Sequence, residues 1–183
     1  MKTRIILVGK GGSGKDYIRK IFERFGFKYC KSYTTRPIRK DEENGKDYIF
    51  IEEKDIPKEE DLYESVYFNN WFYGTPIKEF EKSNLFIMTP KGISSIKKED
   101  REKFLIIYIE SDDNIRRKRL SLRKDADDVD RRIYADEIDF KDFKDYDYLI
   151  NNSEAALENP LENSIKFIAD QMFQTYFDNG IKF

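Results

Sequence analysis

The chain has 183 residues, 39% of them hydrophobic, enough to bury one sizeable core and too few to favour two independent domains. Its 34 Lys and Arg against 36 Asp and Glu leave a formal net charge of -2, so the whole molecule has no bias toward polyanions and any phosphate site must be local. A single Cys excludes an internal disulfide, and the absence of His removes the commonest zinc ligand and the commonest general base.

The first predicted element is the unbroken β-branched run Ile5, Ile6, Leu7 and Val8, the pattern of a strand buried on both faces of a parallel sheet. It does not read as the long apolar segment of a secretion signal, and no apolar run approaches the roughly 20 residues of a membrane span, so the cytoplasm is the expected compartment and no membrane an expected partner. After a glycine cluster, Tyr17, Ile18, Ile21, Phe22 and Phe25 recur at helical spacing, which predicts a helix over 15–25 capped at Gly26. Residues 32–82 are rich in Tyr, Phe, Asn and charge. Turn signals at Asn44-Gly45 and Tyr73-Gly74 predict short antiparallel strands there, with a small helix from Thr75-Pro76. The buried-strand signature returns at 85–88, 104–109 and 148–150. A densely charged stretch, 116–140, has an acidic centre at 125–130 and few core anchors, as a mobile helical lid would. The final helix carries Leu161, Ile165, Ile168, Met172 and Tyr176 on one packing face.

Strand, loop and helix agree around Gly9, Lys10, Gly11, Gly12, Ser13, Gly14 and Lys15, which fit the first seven positions of the Walker A pattern. Such a loop turns its N–H groups toward an anion, the helix start adds partial positive charge, and Lys15 reaches the β- and γ-phosphates of a nucleotide. Asp16 stands where a Ser or Thr hydroxyl normally meets Mg²⁺. It holds the metal directly or through water, or it only favours the helix dipole. Further on, Arg36 and Arg39 sit close together on a Pro-stiffened segment suited to bidentate capture of a phosphate.

At this point the sequence resembles the guanylate kinase family. Ser32-Tyr33-Thr34-Thr35-Arg36-Pro37-Ile38-Arg39, then Gly45-Lys46-Asp47-Tyr48, Glu64 and Tyr73-Gly74-Thr75 follow the family's order and spacing. The resemblance implies an α/β fold: a P-loop NTPase-type parallel sheet flanked by helices, with an inserted GMP-binding lobe and a helical lid. It also implies a single domain over 1–183, with core 1–31, 83–115 and 141–183, lobe 32–82 and lid 116–140. The implied reaction is phosphorylation of GMP or dGMP by Mg²⁺-ATP. The implied site puts Gly9, Gly11, Gly12, Ser13, Gly14, Lys15, Asp16 and Asn151 on ATP, while a metal at Asp16, held directly or through water, is read from its place in the loop. Arg36, Arg39, Tyr48 and Tyr73 would take the monophosphate, while Ser32, Glu64 and Thr75 read the base. Lys15, Arg36, Arg119, Arg123 and Arg132 are the implied catalytic cations. The partners are then small nucleotides with no nucleic-acid polymer, and the chain is a monomer or homodimer.

The chemistry of guanine agrees, because one carboxylate can accept from N1–H and N2–H together and a hydroxyl suits O6. One departure stands out. Where the family shows Asp-x-Asp-x-x-Gly, this chain has Ile87-Met88-Thr89-Pro90-Lys91-Gly92, and Asp16 is the acid available in their place. Two other readings stay open on residues alone: a ribose-bisphosphate kinase of a related P-loop family, and a catalytically weak guanylate-kinase-like domain that binds proteins.

Overall fold

The computed structural model describes residues 2–123, 128–153 and 160–178. Four parallel strands build the central sheet: β1 (Arg4–Val8), β6 (Leu85–Ile87), β7 (Phe104–Glu110) and β8 (Tyr148–Asn151), in the order β6-β1-β7-β8. β1 lies between β6 and β7, with Ile6 beside both Phe86 and Ile106. Its apolar run is buried on both faces. Ile5 and Leu7 join the cluster under α1 (Lys15–Arg24) and α7 (Pro160–Asp178), while Ile6 and Val8 join Phe80, Phe86, Phe104 and Ile106 on the other face. Ile165, Ile168, Met172 and Tyr176 of α7 are buried as their spacing predicts, with Leu161 packed partly buried beside them.

α1 buries Ile18, Ile21 and Phe22, and Gly26 terminates it at a left-handed φ of 93°. Tyr17 departs from the expected face and is exposed. β8 also departs from its buried-strand signature: it is an edge strand, and of its expected apolar residues only Ile150 is buried, Tyr148 and Leu149 being exposed.

The segment between α1 and β6 forms a second sheet, ordered β3-β2-β5-β4 from β2 (Tyr33–Thr34), β3 (Ile49–Phe50), β4 (Leu62–Phe68) and β5 (Trp71–Pro76). β2 pairs antiparallel with β5 but parallel with β3, so the lobe is not wholly antiparallel. Tyr73-Gly74 is not a turn. It lies inside β5, and the β4–β5 hairpin turns at Asn69 and Asn70, both at positive φ (52° and 64°), a conformation Asn tolerates and a tight hairpin requires. α2 (Ile77–Lys82) begins after Thr75 and Pro76, which finish β5. Two short helices follow β6: α3 (Pro90–Ser94) and α4 (Lys98–Arg101).

The charged stretch after β7 folds as α5 (Asp113–Ser121) and α6 (Val129–Phe140). It is better anchored than its composition suggests, because Arg116, Leu120, Ile133 and Asp136 are all buried. Part of the expected acidic centre, 125–127, lies outside the described residues. Among the described residues no helix is long and apolar enough to cross a membrane.

Candidate active site

Parallel α/β sheets place ligands beyond the carboxyl ends of their strands, where neighbouring strands lead off to opposite sides. β1 is such a strand, and the loop from Gly9 to Lys15 leaves its carboxyl end. Gly14 starts α1 at a φ of 94°, and a Cβ there would come within 2.2 Å of Asn152 Nδ2, so only glycine fits. Asn152 Nδ2 itself donates to the Ser13 carbonyl at 2.8 Å and braces the loop from behind. Lys15 curls over the loop, donating to the carbonyls of Gly9 (2.6 Å) and Lys10 (3.1 Å). Burial lowers its pKa to about 8 against the opposing pull of Asp136 and Asp16, while Arg123 and Arg116 add to the lowering.

The lobe faces this loop across a cleft. Arg36 is buried, its Nη1 donating to the Pro37 carbonyl at 2.8 Å and its Nη2 reaching both oxygens of Glu42 at 2.7 and 3.0 Å. Glu42 also accepts from the Arg39 backbone N–H at 2.9 Å, so one carboxylate holds both arginines in register. The Tyr48 and Tyr73 rings meet edge-on 6.1 Å apart, and the Arg36 guanidinium lies 5.5 Å from the Tyr48 ring centre. Burial, with Asp16 and Tyr73 adding to it, raises the Tyr48 pKa, so its phenol stays a hydrogen-bond donor.

At the far end of the cleft a register shift in β4, between Leu62 and Glu64, sets Glu64 opposite Thr75. Bulges re-aim side chains in this way. Thr75 Oγ1 donates to Glu64 Oε1 at 2.6 Å, and Ser32 Oγ lies 3.4 Å from the same hydroxyl. Glu64 Oε2 is buried with no partner among the described residues. It approaches α3 so closely that a Cβ on Gly92 would stand 3.2 Å from it. Burial raises the Glu64 pKa, and the Thr75 bond opposes the rise.

One cleft is therefore lined by Gly9, Gly11, Gly12, Gly14, Lys15 and Asp16 on the loop side, by Ser32, Arg36, Arg39, Tyr48, Glu64 and Tyr73 on the lobe side, and by Arg123 and Arg132. Thr75 stands just behind Glu64 and Ser13 lies buried within the loop. Two expected residues are not brought to this cleft. Arg119 bonds the carbonyls of Gly12 (3.2 Å) and Asn152 (3.0 Å) on the back of the loop, and Asn151 turns its Oδ1 to the Ser153 N–H at 2.9 Å. It is Asn152, one residue on, that touches the loop. Sequence reasoning also missed Glu42, Arg116 and Asp136. An acid three residues after Arg39 was a usable sign for Glu42, whereas Arg116 and Asp136 lie 20 residues apart inside a charge run with no local signal.

Asp16 is exposed and lines the cleft, and its carboxylate makes only a long 3.8 Å contact with Arg19 Nε. Ile87 and Thr89 line the same cleft without adding a carboxylate, the Thr89 hydroxyl capping α3 by accepting from the Gly92 N–H at 3.1 Å. Among the described residues no group of three acidic or thiol side chains could hold a metal by itself. The Asp16 carboxylate beside the glycine loop could hold a divalent cation such as Mg²⁺, which keeps several waters and commonly takes its remaining ligands from nucleotide phosphates.

A sequence model of the family described as Guanylate kinase matches residues 1–174. The guanylate kinase of Wigglesworthia glossinidia brevipalpis is 33% identical over 173 residues, covering 86% of this chain and 82% of that protein. The guanylate kinase of Lactobacillus acidophilus is 31% identical over 180 residues, covering 91% and 87%. In structure, the guanylate kinase of Anaplasma phagocytophilum superposes with a TM-score of 0.68 at 20% identity, over 95% of this chain and 86% of that one.

Proposed function

The chain belongs to the guanylate kinase family, and from that premise we propose how its cleft serves the family's reaction. The reaction is transfer of the γ-phosphoryl group of ATP to GMP, yielding ADP and GDP. A ribose-bisphosphate kinase and a silent protein-binding domain are not favoured by these relatives.

Phosphoryl transfer asks the protein for position and charge and for little covalent chemistry, so a chain without histidine can perform it. Lys15 and the N–H groups of the loop take the β- and γ-phosphates of ATP. Arg36 and Arg39, fixed by Glu42, take the phosphate of GMP together with the hydroxyls of Tyr48 and Tyr73. Arg123 and Arg132 add positive charge over the transferring group, and a cation so placed is worth roughly 10³ to 10⁵ in rate. Arg119 serves the ATP loop as a brace of its back face, and Asn151 keeps the part of an adenine contact. Asp16 is the residue that would hold Mg²⁺, directly or through water, and the metal would supply positive charge to the phosphates of ATP. Residues 32–82 and 116–140 act as the lobe and lid whose approach excludes water. The compartment consistent with this activity is the cytoplasm.

The observation that carries the reading is the buried Oε2 of Glu64, without a partner among the described residues, in the cleft that begins at the phosphate loop. An ionised carboxylate there accepts from guanine N1–H and N2–H, whereas adenine would oppose it with the bare N1. A site built on such bonds rejects a mismatched base by roughly 10⁴ to 10⁵. Coupled measurement of ADP release across the common ribo- and deoxyribonucleoside monophosphates tests it. Guanine nucleotides should lead by orders of magnitude, and comparable rates with AMP or CMP would end the reading.

A further inference from the structure

Gly11 of the phosphate loop is gripped from both sides. Its N–H donates to Asp136 Oδ2 of α6 at 2.8 Å, and its carbonyl accepts from Arg116 Nε of α5 at 2.9 Å. The two side chains are also paired with each other, Nη2 to Oδ2, and Arg116 Nη1 reaches Asp113 at 2.6 Å. Both are almost fully buried, Arg116 at 0% and Asp136 at 2% exposure. The approach depends on glycine, since a Cβ on Gly11 would lie 3.1 Å from Asp136 Oδ2.

Stability alone is a poor account of such a pair. Desolvating two charges costs about as much as their attraction returns, and apolar side chains of similar volume often serve a core as well or better. Apolar side chains could not fix the donor and the acceptor of one loop residue at once. A guanidinium can, because its planar fork addresses a carbonyl and a carboxylate simultaneously.

We propose that Arg116 and Asp136 are positioning residues for ATP: together they set the peptide groups on either side of Gly11, so the anion-binding shape of the loop is held by α5 and α6. The proposal rests on the kinase reading and goes beyond it. With its N–H committed to Asp136, Gly11 is a strut of the cradle, and the donors to phosphate come from the residues that follow it. Among the described residues the monophosphate end has separate supports: Glu42 holds Arg36 and the Arg39 backbone, and Thr75 holds Glu64.

The test uses the full chain, a fluorescent methylanthraniloyl-ATP titration, a calorimetric GMP titration and steady-state kinetics. In the double variant Arg116→Leu/Asp136→Ala one positive and one negative charge are lost, so the net charge is unchanged and neither member of the pair is left without the other. It should unfold near the wild-type temperature, bind GMP within twofold, and lose about tenfold or more in ATP affinity, with kcat reduced as well. The single variant Arg116→Lys keeps the charge but replaces the planar fork with a single nitrogen, and should lose ATP affinity severalfold with GMP unaffected. A wild type that binds the ATP probe beside variants within twofold of it would overturn the proposal alone. A wild type that fails to bind the probe would overturn the kinase reading and the proposal with it.

Discussion

Thr75 Oγ1 donates to Glu64 Oε1 at 2.6 Å across the β4–β5 pair, and leaves Glu64 Oε2 without a partner among the described residues. One oxygen is thus fixed by the fold and the other kept for a ligand. Burial raises the Glu64 pKa, and the Thr75 bond, made to the ionised form, holds it back. Only the ionised form accepts two guanine donors. The pH profile of kcat/KM for GMP should therefore break on its acid side at a pH above the ordinary carboxylate value of about 4.3. Thr75→Val removes the restraining bond, so the break should move to higher pH and the plateau should fall by about tenfold, as expected for a hydrogen bond to a charged group. An acid limb that stays in place in Thr75→Val would contradict this coupling.

Lys15 gives the opposite limb. Its pKa of about 8 in the free protein means that the ammonium is lost as pH rises through that value. Below it, kcat/KM for ATP should be flat, and above it the parameter should fall tenfold per pH unit. Lys15→Ala should erase this limb and cut kcat by roughly 10² to 10³, the scale for losing one preorganised transition-state contact. Its unfolding midpoint should barely move, since among the described residues the side chain bonds two loop carbonyls and joins neither core cluster. Wild-type turnover in the variant would contradict the role given to the loop.

Asp16 is the carboxylate in the cleft closest to the usual metal-binding position of the loop, with Ile87 and Thr89 contributing none. Asp16→Ser restores a hydroxyl at that position and removes the acid. The Mg²⁺ concentration for half-maximal rate should then rise about tenfold, the lower end of what altered metal support costs. Titration of initial rates with Mg²⁺ reads this directly, and superimposable curves would reduce Asp16 to a helix-start residue.

Much of this arrangement is legible from sequence because it is local. β1, β6 and β7 show as unbroken apolar runs since both faces of each are covered. The phosphate loop shows because glycine spacing is dictated by backbone geometry. Where the structure adds to or departs from the sequence pattern, the reason is context. Tyr148 and Leu149 look like buried-strand residues, but their strand is at the sheet edge, which no run of three residues reveals. Tyr73-Gly74 looks like a turn, while the real turn at Asn69-Asn70 depends on two positive φ angles that Asn only permits. Arg119 is tethered to the back of the loop by carbonyls at Gly12 and Asn152, a tertiary fact absent from its own helix. Arg116 and Asp136 look like two more charges in a solvated stretch, and only the packing of α5 on α6 makes them a buried pair.

The central claim is that a guanine base is read by Glu64, and the most direct measurement is kcat/KM for GMP and inosine monophosphate in the wild type and Glu64→Gln side by side. Inosine monophosphate keeps N1–H and lacks the N2 amino group, so it should be the poorer substrate of the wild type. Glu64→Gln turns one acceptor into a donor and should cost GMP about 1 to 3 kcal/mol, with a smaller loss for the inosine nucleotide, so the preference for GMP narrows. Equal losses for both substrates would contradict the account and show that Glu64 acts through the fold of the lobe and not on the base.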